Sequence, residues 1–516
     1  MVARALSNCS CRVAMKSVSV GNPVGSASDC WQRLVRSIVF HFWLKTQASR
    51  FMPLIVQKFG GTSLGTGERL QNVARIVQSG TTDHQSIVVV SAMSSYTKAE
   101  GTTSRLLEAG QQALANGPFF RILDLVEQAH FEALEQAIPD PEIQEEIREF
   151  VHQELQALKS FLDAIHVIRE ISPRSQDLIV GTGERLSARL LSGVLRSMGV
   201  EAEYTDLSEI LSNGGDTNDE AFYQQLQHAI RAKLPSTHCV PVVTGFIGFV
   251  PGGIIERIGR GYTDLTAALI AAELQAEELQ IWKEVDGIFS ADPRKVPNAH
   301  VLDAISPTEA AELTYFGSEV IHPFTMERAI QHKVAIRIKN TFAPEKPGTV
   351  IVPEGMDDDA LATRRLQNRV AVAVTTKNHV RVVNVNSNRM LHASGFIGQV
   401  FDAFRKHKVV IDLISTSEVN ISCTIDKSDR LDELVEDLGA LGDVTLKHDR
   451  AILSLVGEGM QAHVGVAGRM FSALASAEVN IELITQGASE INISCVIQQQ
   501  DAATAIQAVH QHFLEG

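Results

Sequence analysis

Leu54, Ile55 and Val56 open an apolar run that continues through Gln57, Lys58 and Phe59, then breaks at Gly60 and Gly61 before Thr62 and Ser63. A helical period begins at Leu70, Val73, Ala74 and Val77, spaced i, i+3, i+4, i+7. A strand that enters a glycine turn and opens a helix presents free backbone N–H groups, which suits phosphate. Glycine fits such a turn because a Cβ would hold oxyanions away from the backbone. The spacing is neither G-x-x-x-x-G-K-[ST] nor G-x-G-x-x-G, and the lysine precedes the glycines. Alone, Gly-Gly-Thr-Ser would more often be a plain turn. Lys58 beside it, and the rest of the chain, tip the reading toward an anion site.

Similar junctions recur. The run Ile87–Val90 looks like a strand covered on both faces, and it ends in a hydroxyl-rich loop from Ser91 to Thr97. Open α/β sheets bind ligands at such strand ends. Residues 103–168 read as helices that carry no chemistry. Leu178, Ile179 and Val180 read as a further strand, followed by Gly181-Thr182-Gly183-Glu184 at the start of a helix bearing Ala188, Leu191, Leu195 and Met198. Glu184 there is either a carboxylate favoured by the helix dipole or a receiver for an ammonium group. Val240–Gly248 is again strand then turn. Gly259-Arg260-Gly261 precedes a helix marked by Leu265, Ala268, Leu269 and Ala272, and Arg260 suits a two-point grip on a carboxylate. Asp264 could be a cap, although Thr263 would already serve. A strand from Ile281 runs into Asp286-Gly287 and then an Asp292-Pro293 turn with Arg294 behind it. His322 before Pro323 reads chiefly as a structural turn.

The length of 516 residues corresponds to roughly three domains. A net charge of −15 argues against nucleic acid or an anionic membrane as partner. Six cysteines without C-x-x-C pairs suggest neither a zinc site nor a disulfide framework, but free buried thiols in a reducing compartment. Residues 1–51 differ in kind, with seven lysines and arginines against Asp29 alone, and many serines. Such a lead resembles an organelle transit peptide. Met52 directly precedes the first strand, and a start there gives the cytoplasmic protein expected here, with an organelle the alternative if residues 1–51 are a genuine transit peptide. The apolar run from Ser37 to Lys45 is too short to span a membrane.

The word Lys58-Phe59-Gly60-Gly61-Thr62-Ser63 and the landmarks after it, in order across residues 54–352, resemble the aspartate kinases. Ser94 to Arg105, Gly259 to Thr266 and Trp282 to Arg294 are similar to the fungal-type branch. The resemblance implies the amino-acid kinase αβα sandwich with a mainly parallel sheet over residues 52–352, rather than a P-loop fold. It implies transfer of phosphate from ATP to L-aspartate, the first step toward lysine, threonine and methionine. Lys58 and Asp264 would be catalytic. Thr97, Glu184, Phe246, Arg260 and Thr263 would face aspartate. Gly60, Gly61, Thr62 and Ser63 would line the phosphates, while Lys283, Glu284, Phe289 and Arg294 would lie by the nucleotide. Mg²⁺ would be held mainly through the phosphates, with no metal ligands from the protein. Glu319 departs from the lysine many bacterial members carry, which puts a nucleotide contact there in doubt. A carboxylate acceptor, with a pKa near ~4, is already ionised at neutral pH and needs no general base. The chemical problem is bringing one anion onto another, which calls for lysine and N–H dipoles. A non-catalytic sensor on the same fold is the alternative, disfavoured by Lys58, Arg260 and Asp264 together.

The C-terminal third repeats itself. Ile411–Ile425 and Ile481–Ile497 are two copies of one word, the second with two inserted residues. Each follows a strand and a helix: Val380–Val385 with Gly398–Lys406, and Ile452–Val456 with Ala467–Ala477. Units of ~70 residues in β-α-β-β-α-β order suggest ferredoxin-like α+β folding, and the pair resembles ACT domains, at 370–445 and 446–516 after a linker at 353–369. By that resemblance Met390, Gly395, Asp412, Ser417 and Glu418 would hold a feedback amino acid, lysine or threonine with threonine favoured, in a homo-oligomer joined through these domains. The alternative is a repeat that only dimerises.

Overall fold

The computed structural model describes residues 52–94, 100–210, 220–234, 239–249, 252–259, 261–315, 321, 323–356, 361, 370–387, 395–426 and 428–515. The expectations for residues 1–51, and for Thr97, Arg260, Glu319, His322, Met390 and most of the linker, lie outside them.

Strands β1 (Leu54–Phe59), β2 (Gln85–Val90), β3 (Ala202–Thr205), β4 (Val240–Thr244), β5 (Glu278–Lys283), β6 (Ala304–Ile305), β7 (Ala335–Asn340) and β8 (Thr349–Ile351) form one sheet. Their order is β3-β4-β2-β1-β5-β7-β8-β6, parallel at every pairing except β7 with β8. Side chains alternate between two cores, as strand geometry requires. Val56, Val89, Val243 and Ile281 pack on one face, where the helix Tyr262–Glu273 lies buried almost all round. Phe59, Val88, Val242 and Trp282 pack on the other, against the helices between residues 102 and 197. This is the αβα sandwich the sequence implied. Among the described residues no helix is long and apolar enough to cross a membrane.

One expectation is overturned. Leu178–Val180 is not a strand and Gly181 does not begin a helix: Pro173–Ser197 is one continuous helix, capped by Ser172. Its glycines serve close packing instead of a turn. A Cβ on Gly181 would stand 2.4 Å from the Phe246 ring, and one on Gly183 2.8 Å from the Ala92 Cβ. Glu184 therefore sits in mid-helix, remote from the positive end of the dipole.

The C-terminal region adds β9 (Ala373–Asn386), β10 (Ile411–Thr416), β11 (Asn420–Ile425), β12 (Asp443–Val456), β13 (Leu483–Gln486) and β14 (Asn492–Gln498). They form a second, antiparallel sheet in the order β10-β11-β9-β12-β14-β13. The two repeats share its central pair. The later half of β9 meets the first half of β12 (Val385 with Val444), completing the first unit. The early half of β9 meets the later half of β12 (Val374 with Leu455), so the second unit takes its last strand from residues that precede the first. Ala371 and Val374 accordingly pack in the core of Leu453, Met470 and Ile506. Each unit covers one sheet face with its helices, and a small core of Val380, Leu413, Ile452 and Leu483 fills the space between the units. Cys423 and Cys495 are buried free thiols on equivalent strands, and burial pushes both up to about 12, which leaves them unreactive at neutral pH.

Candidate active site

The register brings four strand ends together. Phe59 is opposite Val90 and Trp282, and Val90 is opposite Thr244, so β1, β2, β4 and β5 all finish at one edge of the sheet. Lys58, one residue short of the end of β1, is buried there. Its Nζ lies 2.6 Å from Asp264 Oδ1, and Lys283 Nζ, at the end of β5, lies 3.9 Å from Asp264 Oδ2. A carboxylate between two lysines fixes both cations while leaving net positive charge at the strand ends, the charge an incoming phosphate requires.

Asp264 stands in the first turn of the helix Tyr262–Glu273, whose N-cap Gly261 provides no side-chain cap. Neither candidate cap residue caps. Asp264 turns to Lys58, and Thr263 donates its hydroxyl to Glu184 Oε1 at 3.0 Å. Glu184 is fully buried, and its Oε2 takes no hydrogen bond among the described residues. Burial pushes its carboxyl up to about 8, against the pull of the Tyr262 and Thr263 hydroxyls and of the nearby Lys58 charge. A buried acid with an open oxygen beside a lysine-lined anion site can receive the ammonium group of an amino acid. Phe246 packs over Gly181 on the same helix and is fully buried. Tyr262 was not singled out from sequence; its place beside Thr263 at the helix start was the available signal.

The glycine turn divides its labour. A Cβ on Gly61 would lie 2.2 Å from the Ala92 carbonyl, so glycine there admits the loop after β2. At Gly60 the nearest atoms would be 3.9 Å away, Lys58 Nζ among them, which leaves space in front of the lysine. Thr62 accepts from Arg69 through its carbonyl at 2.7 Å. The Ser63 hydroxyl is engaged with Thr341 at 2.9 Å and its N–H with the Gly60 carbonyl at 3.0 Å, so Ser63 shapes the turn from within the protein.

The β5 landmark spreads outward. Glu284 is exposed and Phe289 half-buried. Arg294, its side chain 88 % exposed, is paired two-fold with Asp292 at 2.9 Å for each contact. Between them Ser290 docks on the C-terminal region: its carbonyl accepts from the Val374 N–H at 2.8 Å, and its hydroxyl meets His510 Nε2 at 2.9 Å. In the regulatory units Gly395 is the N-cap of the helix Phe396–Lys406, with φ of 99°, while Ser417 and Glu418 are exposed in the turn between β10 and β11. Asp412 is already engaged, with Lys377 Nζ at 2.8 Å and the Tyr315 hydroxyl at 3.2 Å.

Strand ends gathered around two lysines held by one aspartate, with open space over Gly60 and a buried acid alongside, make a site suited to an anionic substrate, as in proteins that transfer phosphoryl groups. The model of the Amino acid kinase family matches residues 53–340, and that of the ACT domain matches residues 383–432 and 453–513. The aspartokinase of Schizosaccharomyces pombe is 45% identical over 484 residues, covering 89% of this chain and 93% of its own. Two solved structures of Escherichia coli aspartokinase III are similar at 28% identity and a TM-score of 0.71. One, in complex with aspartate and ADP in the R-state, is matched over 90% of this chain and 100% of its own. The other, with lysine and aspartate in the T-state, is matched over 89% and 99%. The chain belongs to the amino acid kinase family and, within it, to the aspartokinases.

Proposed function

We propose that this chain transfers the terminal phosphoryl group of ATP to the side-chain carboxylate of L-aspartate, giving 4-phospho-L-aspartate and ADP, under feedback control through its C-terminal repeats. The observation that carries the reading is the adjacency of Thr263 and Asp264 on one helical turn: one fixes Glu184, the other fixes Lys58. Glu184 receives the substrate ammonium group, which replaces the proton its carboxyl otherwise holds. Arg260, by its residue type and place between two glycines, grips the α-carboxylate. The side-chain carboxylate then lies toward Lys58, already ionised and nucleophilic.

Lys58 and Lys283 draw charge from the transferring phosphoryl group, and Asp264 keeps both lysines in place without taking a proton. The space over Gly60 admits the phosphates. Among the described residues no group of three His, Cys, Asp or Glu side chains is placed to hold a metal ion, and Asp264 is committed to lysines. Among the described residues the donor set does not fit a resident metal, and Mg²⁺ would come with the nucleotide, held mainly through its phosphates. For the effector, the likeness to fungal members weighs toward threonine, whereas an E. coli relative holds lysine.

ATP-dependent acyl-hydroxamate formation tests the reading. Aspartate is expected to give product, and glutamate little or none. Turnover of glutamate in preference to aspartate, or of neither, would overturn it.

A further inference from the structure

Lys283 ends β5 beside Asp264, and the chain leaves the site from there. Further on, Phe289 is bridged to Val301, and the Ser290 N–H donates to the His300 carbonyl at 2.8 Å, which closes the segment between them into a loop. The packing of this loop belongs to the second regulatory unit and not to the catalytic region. Ala291 and Val296 are buried in that unit's core with Met470 and Ile506. Lys295 is held from two elements: its Nζ donates to the Thr376 hydroxyl on β9, and its carbonyl accepts from Gln507 Nε2, each at 2.6 Å. A loop that starts in the active site therefore takes its position from the second repeat.

A polar ring completes the attachment. Ser290 and His510 are both fully buried. The Ser290 hydroxyl accepts from the His300 N–H at 3.0 Å and meets His510 Nε2 at 2.9 Å. On its far side His510 Nδ1 meets Glu515 Oε1 at 2.9 Å, and Glu515 Oε2 accepts from Asn298 Nδ2 at 3.0 Å. The ring thus leaves the loop at Ser290, passes through the end of the helix Ala502–Leu514, and returns to the loop at Asn298. Asn298 and His510 hold the Glu515 carboxyl below the usual carboxylate range, so it only accepts. That puts a proton on Nδ1, and in the neutral ring it leaves Nε2 to accept from the Ser290 hydroxyl. Hydroxyl, imidazole and acid in this order are also the parts of an activated nucleophile. No substrate reaches a hydroxyl without exposure, so here they hold and do not react.

We propose that Ser290, His510 and Glu515 are positioning residues for the nucleotide: through them the second repeat, with no effector bound, holds residues 289–294 where Phe289 and Arg294 meet ATP. The proposal rests on the kinase reading and on the assignment of Phe289 and Arg294 to the nucleotide. None of the three positioning residues touches ATP itself. A loop released from the ring must be reordered by the ligand, so apparent nucleotide affinity falls with the fraction of chains in which the loop is docked. Aspartate, received by Glu184 and Thr263, does not depend on that loop.

Calorimetric titration of the full chain with ADP in the presence of Mg²⁺, and steady-state turnover with ATP and aspartate varied in turn, test this on the wild type and on S290A, H510L, H510Q and N298A. S290A and H510L are expected to raise the ADP dissociation constant and the KM for ATP about five- to tenfold, the scale of one buried hydrogen bond. The KM for aspartate should stay within about twofold of the wild type. H510Q, whose amide can still face Ser290, should fall between H510L and the wild type. N298A, a change at an exposed position, should shift the same two quantities about twofold, and it decides the matter if the buried variants do not fold. A contact that only stabilised the fold would lower the active fraction, and with it the apparent kcat, at unchanged KM. Unchanged ADP affinity and ATP KM in the folded variants, or a rise in aspartate KM equal to that for ATP, overturns the proposal while the kinase reading stands. A wild type that binds no ADP overturns both.

Discussion

The Tyr315 hydroxyl lies 3.2 Å from Asp412 Oδ1, joining the last turn of a catalytic-region helix to strand β10 of the first regulatory unit. The same hydroxyl is 3.2 Å from the Ile411 carbonyl, and Lys377 Nζ lies 5.5 Å from the centre of the phenol ring. Asp412 is thus a joint between domains as well as a neighbour of the effector turn. Lys377 pairs with it at 2.8 Å and with Asp426 at 2.9 Å, so the joint is an ion cluster on its regulatory side.

Replacing Tyr315 by Phe removes the hydroxyl and keeps the ring. Uninhibited turnover is expected to stay within about twofold. Effector inhibition should weaken roughly fivefold, the equivalent of one hydrogen bond near ~1 kcal/mol, with effector affinity in calorimetry less affected. Inhibition unchanged from the wild type would show that the joint carries no coupling.

Lys58→Ala and Asp264→Ala are each expected to lower kcat by ~10²–10³. The pair is buried and 2.6 Å apart, so the double variant should lose far less than the product of the two single losses. Circular dichroism and thermal melting separate this from misfolding. Multiplicative losses would mean that the residues act independently.

The buried carboxyl of Glu184 sets a pH signature. Its folded pKa of about 8 lies above the ordinary 4.5 of a free glutamate, so the fold favours the protonated form. Its stability contribution is complete below the unfolded value and is lost as pH rises through about 8. Glu184→Gln should therefore change the melting temperature little at pH 4 and raise it progressively toward pH 8. Ammonium binding needs the ionised acid, so the wild-type KM for aspartate should fall up to tenfold per pH unit between 6.5 and 8, then level. The Gln variant should show a raised KM without that slope.

Gly181→Ala tests the packing of the long helix. In an open helix the change is worth ~1 kcal/mol of stability. Here the new Cβ meets the Phe246 ring at 2.4 Å, and overpacking typically costs ~1–3 kcal/mol. The expected result is a protein no more stable than the wild type, with a raised KM for aspartate because Phe246 must move. A clear gain in melting temperature with unchanged kinetics would refute it.

The switch from an apolar run to period 3.6 beyond Gly60 was legible because strand, turn and helix are local properties, and β1 and the glycine turn lie where that switch put them. The mid-helix position of Glu184 was not. A glycine pair signals either a turn or close packing, and only the placement of Ala92 and Phe246, from other elements, decides between them. The duplication of residues 411–425 was plain in the sequence, whereas the exchange of a strand between units was not, since pairing partners are set by topology. Tyr315 had no signal at all, because its partner Asp412 is 97 residues away.

Just before β9, the Val372 N–H donates to the Val456 carbonyl at 2.8 Å, and only after that does the chain thread the first unit. The polypeptide is therefore latched before it is finished: Ala373–Lys377 must wait for residues 452–456, more than seventy positions later, to find their mate. A fragment beginning at residue 446 would contain the whole second repeat by sequence and still be one strand short, with the edge from Ile452 to Val456 bare and ready to pair with another chain. Genetic dissection of this enzyme into a catalytic piece and two regulatory pieces thus has no clean cut between the repeats, and inheritance of the two copies together follows from the weave.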